Sequence, residues 1–131
     1  MAEHNELGKW GEEIATRYLE EKGWYIRHRD WRYKGTDIDL VCIDRYDTTL
    51  VFVEVKTRAT SNFGRPSEAV DFKKRRNIMF AAEAYRRMFR KENRLLRYDI
   101  ISIVGGPLCG YTIEHIEEAF SIADLIERYA I

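Results

Sequence analysis

The run Leu50-Val-Phe-Val-Glu-Val-Lys56 places a carboxylate and an ammonium two residues apart in an apolar, β-branched segment. Strand side chains alternate between faces, so Leu50, Phe52, Glu54 and Lys56 share one face and Val51, Val53 and Val55 the other. Burying a charge is costly unless it is paired or binds a metal. The preceding segment, Asp37 to Ile43, carries Asp37 and Asp39, on one face under strict alternation. A hairpin between the two segments brings Asp39 close to Glu54. Two carboxylates in a partly dry site repel each other. A divalent cation resolves that repulsion, and carboxylate oxygens with retained water suit Mg2+ or Mn2+. Such an ion can polarise a phosphodiester and acidify a bound water, and an adjacent lysine can orient that water or stabilise the anionic transition state. Asp39, Glu54 and Lys56 therefore have the parts for metal-assisted phosphodiester hydrolysis. Glu-x-Lys alone carries no weight, since Glu20-Glu21-Lys22 repeats it; the strand context does. A structural ion pair, Glu54 with Lys56 or Asp39 with an arginine, is the alternative.

The elements that must position these groups are readable from periodicity. Leu7, Trp10, Gly11, Ile14, Tyr18 and Leu19 recur at helical spacing and end at Gly23, with Glu12 beside the apolar stripe and Glu13 in water. Trp24 to Tyr33 alternates aromatic and charged residues as a strand does, Lys34-Gly35-Thr36 is a turn, and strands are expected over Asp37–Ile43 and Thr49–Thr57. A loop covers Ser61 to Pro66. A long helix is expected from about Ser67 to Lys91, with Ile78, Ala81, Ala82, Tyr85, Met88 and Phe89 as its apolar face. A strand over Arg97–Val104, a short edge strand over Tyr111–Ile116 and a helix over Ile122–Ala130, N-capped by Ser121, complete the chain. The order is α-β-β-β-α-β-(β)-α: an α/β domain with a central mixed β-sheet flanked by helices, spanning residues 1–131.

At 131 residues the chain fits one domain and needs no disulfide or structural metal to fold. The two cysteines, Cys42 and Cys109, have no zinc-type spacing and read as reduced, buried thiols. No apolar run is long enough to cross a membrane, and the N-terminus Met-Ala-Glu-His-Asn-Glu lacks a signal peptide's regions, so the expectation is a cytoplasmic protein with no membrane partner. The charge is balanced, 22 basic against 22 acidic residues, but residues 73–97 hold ten basic and two acidic ones. That stretch, starting at Lys73, Lys74, Arg75 and Arg76, is either a solvated helix face or a local phosphate-binding face. His4, His28 and His115 form no metal-binding pattern, and the three tryptophans read as packing residues.

The phrases Gly8-Lys-Trp-Gly11-Glu12-Glu-Ile-Ala15, Gly35-Thr-Asp37-Ile-Asp39-Leu40, Val51-Phe-Val-Glu54-Val-Lys56-Thr-Arg58 and Arg97-Tyr-Asp99 together resemble the YraN-type family of small bacterial proteins. The resemblance runs from about residue 7 to 120. That family is placed in the PD-(D/E)xK nuclease superfamily, near archaeal Holliday-junction resolvases. The resemblance implies a restriction-endonuclease-like core, metal ligands at Asp39 and Glu54, the Val55 carbonyl as a third, and Lys56 as the catalytic lysine. It also implies that Glu12 completes the site, and it offers Lys74 as a phosphate contact. Asp37 stands where the family more often has glutamate, and the superfamily's initial proline is absent. Arg58, Phe63 and Gly64 are expected to border the substrate groove, and Asp99 to be structural.

The expected function is a Mg2+- or Mn2+-dependent endonuclease acting on DNA before RNA, on branched or structured DNA in particular. Lys73, Lys74, Arg75, Arg76 and Arg58 would contact phosphates. Cutting two strands of a branch would call for a homodimer. The first alternative is a nucleic-acid-binding module, or one that binds a partner DNA-processing protein, with a nuclease fold and no turnover of its own. The second is a scaffold in which Asp39, Glu54 and Lys56 form a structural ion network.

Overall fold

A computed structural model describes residues 2–60 and 70–129. The order is α1 (Ala2–Glu21), β1 (Tyr25–Tyr33), β2 (Thr36–Ile43), β3 (Thr49–Arg58), α2 (Phe72–Met88), β4 (Leu95–Gly106), β5 (Gly110–Phe120) and α3 (Ile122–Tyr129). The five strands form one sheet in sequence order. β1–β2, β2–β3 and β4–β5 are antiparallel, and β3–β4 is parallel, with α2 as the crossover between them. The expected α/β architecture, with a mixed sheet between helices, is the one observed.

Alternation along the central strands builds two cores. Val51 and Val53 of β3, with Leu40 and Cys42 of β2 and Ile101 and Ile103 of β4, pack under Ile14, Ala15 and Leu19 of α1. Leu50 and Phe52, with Val41, Ile43 and Ile100, pack against Ile78, Ala81, Ala82 and Tyr85 of α2. A sheet buried on both faces reads as a near-continuous apolar run, and β3 does. Tyr85 is fully buried, and its hydroxyl accepts from Arg27 Nε at 2.8 Å and meets His28 Nδ1 at 2.7 Å, which ties β1 to α2.

On the α1 side, Asp99 is completely buried. Burial pushes its carboxyl up, but His115, Arg97 and the Glu118 N–H hydrogen-bond to it and hold it below the usual range. The structural role expected for Asp99 is the one found.

Several boundaries differ from the sequence expectation. β5 runs eleven residues rather than six, because exposed Glu114, Glu117 and Glu118 mask the strand pattern. α2 starts at Phe72, where the Asp71 side chain caps it by accepting the Lys74 N–H at 2.8 Å. It ends before Arg90, which takes a left-handed φ of 55°. Met88 lies outside its buried face, and Cys109 is exposed at the β4–β5 turn rather than buried.

The β1–β2 turn is a two-residue hairpin with positive φ at both Lys34 (47°) and Gly35 (80°), the geometry that matches strand twist. At Gly11, α1 lies so close to β3 that an added Cβ would fall 2.9 Å from Thr57 Cβ and Cγ2 and nearer still to its hydroxyl. Glycine costs a helix about 1 kcal/mol against alanine, so only the contact justifies it. Gly11→Ala should nonetheless destabilise the fold, by up to about 2 kcal/mol net, because overpacking typically costs about 1–3 kcal/mol. Thr57→Ala should restore part of the loss. Thermal unfolding of the single and double variants checks this, and a stabilised Gly11→Ala would contradict it.

Candidate active site

β2 and β3 pair only from Leu40↔Val53 to Ile43↔Leu50. Beyond that the strands part, and Asp39 Oδ2 accepts the Val55 N–H at 2.7 Å in place of a ladder carbonyl. The strand also changes faces there: Ile38 belongs to the α2-side core and Leu40 to the α1-side core. β1 makes the matching change. Arg29 reaches Glu13 of α1 at 3.1 Å, whereas Trp31 packs on Tyr85 of α2. Between them sits Asp30 at a left-handed φ of 52°. Counting from the turn, Asp30 stands opposite Asp39, between the pairs Arg29↔Leu40 and Trp31↔Ile38.

Glu12, Asp30 and Asp39 converge at this point, with ligand oxygens all within 4.8 Å of one another. α1 supplies Glu12 next to the close contact at Gly11. Asp30 is the residue that the sequence expectation missed. Its signal was present in the two-residue turn, which pairs positions symmetrically about Lys34-Gly35. Strict alternation also misplaced Asp37. The face change at Asp39 separates the two, and Asp37, with 62% of its side chain exposed, points to Arg32 Nε at 3.4 Å.

Glu54 follows Phe52 on the α2 side and is 5% exposed. Its Oε2 lies 3.9 Å from Lys56 Nζ and 4.0 Å from Lys74 Nζ, so β3 and the first turn of α2 both bring a cation to it. Glu54 Oε1 and Glu12 Oε1 are buried without a hydrogen-bond partner among the described residues. Burial, then the Asp39 charge, pushes both carboxyls up to about 7. Asp39 is raised by burial too, against the Val55 N–H, Lys56 and Lys74, which pull it down.

Glu12, Asp30 and Asp39 thus form one oxygen cluster, and Glu54 adjoins it through the Asp39 charge with Lys56 and Lys74 beside it; two buried oxygens have no partner among the described residues. That donor set fits a hard divalent cation such as Mg2+ or Mn2+. Glu12, Asp39, Glu54 and Lys56 are gathered here, and Val55 is fixed by its N–H to Asp39.

The basic cluster is divided. Lys74 faces Glu54, whereas Lys73 is exposed. Arg75 donates from Nε to the Val70 carbonyl at 2.7 Å and lies over the Phe120 ring, so part of its role is packing. Arg76 is half-buried. Arg58 ends β3 opposite Val104. Phe63 and Gly64 lie outside the described residues.

The profile of uncharacterised protein family UPF0102 matches residues 11–103, which include every residue of the fork. The chain belongs to the UPF0102 family. It is 48% identical over 120 residues to a UPF0102 protein of Phocaeicola vulgatus, a match covering 92% of this chain and 96% of that protein. A UPF0102 protein of Bacteroides thetaiotaomicron is 47% identical over the same share of each chain. One of Myxococcus xanthus is 40% identical over 91% of this chain and 92% of its own. Each of these matches extends over nearly the full length of the relative. Among the described residues, no helix is long and apolar enough to cross a membrane.

The raised carboxyls give this UPF0102 fold a pH signature. Glu12 and Glu54 keep their protons to about pH 7 when folded, whereas the unfolded chain releases them near 4.5. Their contribution is therefore full below about pH 4.5 and is lost as pH rises towards 7. Asp99 and Asp44, both held low, act oppositely and only below the usual carboxylate range. In chelator, Tm should fall between pH 5 and 7.5. Glu54→Gln should flatten that fall and raise Tm at pH 7.5 by about 4 °C, roughly 1 kcal/mol. A lowered Tm in Glu54→Gln would instead mark the charge as a structural partner.

Proposed function

We propose that this chain is a Mg2+- or Mn2+-dependent nuclease that hydrolyses phosphodiester bonds of DNA, with branched or otherwise structured DNA as its substrate class. One observation carries the reading: carboxylates of α1, β1 and β2 cluster at a strand fork beside Glu54 of β3 and two lysines, and two of the buried oxygens have no partner among the described residues. A structural ion network would normally satisfy such atoms. Glu12, Asp30, Asp39 and Glu54 would hold the ion. When bound, it supplies Lewis-acid polarisation of the phosphodiester and a more acidic water.

The chain's own residues do the rest. Lys56 keeps about a third of its side chain exposed beside Glu54. From there its ammonium can orient an attacking water and offset charge that develops on the phosphoryl oxygens. Asp39, locked by the Val55 N–H, cannot swing away, so the donor set is organised before substrate arrives. Lys74 enters from the helix that also carries exposed Lys73, which places phosphate-attracting charge next to the carboxylates. A positive helix beside an acidic fork suits a polyanion whose backbone must approach a metal.

The test is cleavage of labelled single-stranded, duplex, flapped and four-way-junction DNA, with RNA alongside, in Mg2+, Mn2+ or chelator. Cutting should need metal, and Glu54→Ala and Lys56→Ala should each lower the rate by about 100-fold or more. Asp30→Asn should raise the metal concentration needed about 10- to 100-fold, the effect expected for a metal-site residue. Lys73→Ala should lower the slope of log affinity against log salt by about one. Equal cutting by Glu54→Ala, or no cutting of any substrate with either metal, would overturn the reading.

A further inference from the structure

The β1–β2 hairpin and α2 enclose a pocket of about 200 Å3 lined by Tyr33, Lys34, Thr36, Asn77, Phe80 and Ala81. It lies apart from the carboxylates but close to them along the helix. Asn77 follows Lys74 by three residues, one turn of α2, and Lys74 contacts Glu54. The space is smaller than the roughly 300–1,000 Å3 of a drug-sized site, which suits a single flat ring system.

Its aromatic walls are exposed Phe80 and half-buried Tyr33. Phe80 is 62% exposed on a helix whose other exposed residues are mostly basic. Lys73 and Arg87, both exposed, stand seven residues before and after it, so all three share one stripe. Across the pocket, Tyr33 stacks on Trp31 with ring centroids 5.8 Å apart and planes 12° from parallel. Trp31 is in turn held edge-on by buried Tyr85 at 5.0 Å, so the stack is braced by the core. Lys34 Nζ sits 5.5 Å from the Tyr33 ring centre, which sets a cation at the rim. Asn77 offers an amide donor and acceptor at the floor, with no side-chain partner among the described residues.

A lone exposed phenylalanine needs no explanation. An exposed phenylalanine that shares a pocket with a braced aromatic stack, an amide and a lysine, with a second lysine two turns back along the helix, is a combination suited to single-stranded nucleic acid. There the aromatic faces take bases and the cations take phosphates. Bases within a duplex have no free ring face to offer, so the ligand must be unpaired.

We propose that the pocket between Tyr33 and Phe80 is a subsite for an unpaired nucleotide of the nucleic-acid substrate, its base on the aromatic rings and its phosphates towards Lys34 and Lys73. It rests on the nuclease reading for its purpose. It narrows the substrate to nucleic acid with an unpaired nucleotide one to two helical turns from the position where Lys74 meets Glu54.

Binding in chelator separates the two ideas, because it needs no turnover. Fluorescence anisotropy would compare a short oligothymidylate with an abasic oligomer of the same length, which keeps the phosphates and lacks the bases. The wild-type protein should prefer the oligothymidylate by about 5- to 100-fold. Phe80→Ala should bring the two ligands to equal affinity with an unchanged Tm, and Phe80→Trp should restore the preference. Lys73→Ala should weaken both ligands alike. Equal binding of the two ligands by the wild type, or a preference that survives Phe80→Ala, overturns the subsite even if the protein cuts DNA. A Phe80-dependent preference in a protein that cuts nothing upholds the subsite and removes the nuclease reading.

Discussion

The bond from the Val55 N–H to Asp39 Oδ2 is the constraint on which the site depends. An ordinary ladder would have paired Val55 with a backbone carbonyl and left no space between β2 and β3. A side-chain carboxylate in that place forces the strands apart. It satisfies one buried N–H while opening a gap that must be lined by something polar. The gap is lined from four elements at once, and none supplies two of the four carboxylates. The site therefore requires that α1 approach β3 closely at Gly11, that the hairpin turn at Lys34-Gly35 keep its register, and that β3 remain paired to β4 through Arg58. The two hydrophobic cores hold these elements against the repulsion of the acids. Function-related strain is concentrated at Asp30, the one residue of the group with a left-handed backbone.

How much of this could be read in the sequence follows from what strand alternation can and cannot say. The β3 pattern is regular from Leu50 to Lys56, so the face shared by Glu54 and Lys56 was legible, and its flanking valines located the α1-side core. The same rule failed at Asp39 because alternation assumes an unbroken pleat, and β1 and β2 both change faces there. Asp37 was grouped with Asp39 for that reason, and Asp30 was passed over as one more charge in a charged strand. The two-residue turn would have paired Asp30 with Asp39, yet a turn's φ signs come from structure. Glu12 was placed beside the apolar stripe by helical spacing, which is a longer-range regularity and survived. β5 was cut short because an edge strand with exposed glutamates lacks the apolar alternation that marks a covered one. The basic run was legible as a helix but not as a divided one: Lys74 and Arg75 turn to protein partners while Lys73 remains in solvent, and composition cannot separate these.

The electrostatics of the fork connect its stability to its chemistry. Four ionised carboxylates and two ammoniums would leave the fork two charges negative, with Glu54 among them buried. Neutrality is available in two ways. Protons can stay on Glu12 and Glu54, whose carboxyls burial and Asp39 raise to about 7, or a divalent cation can replace them. The two routes compete for the same oxygens, including the two that have no hydrogen-bond partner among the described residues. Near neutral pH neither dominates by itself, so cation binding on the proposed reading must release protons and tighten as pH rises. Lys56 and Lys74 keep this balance from tipping further. Without them Asp39 and Glu54 would hold their protons to higher pH, and a metal would have to displace them at greater cost. The lysines thus act on the donor set as well as on any phosphate that reaches it. On this reading the carboxylates and the basic helix form one electrostatic unit rather than a metal site with a separate DNA-binding face.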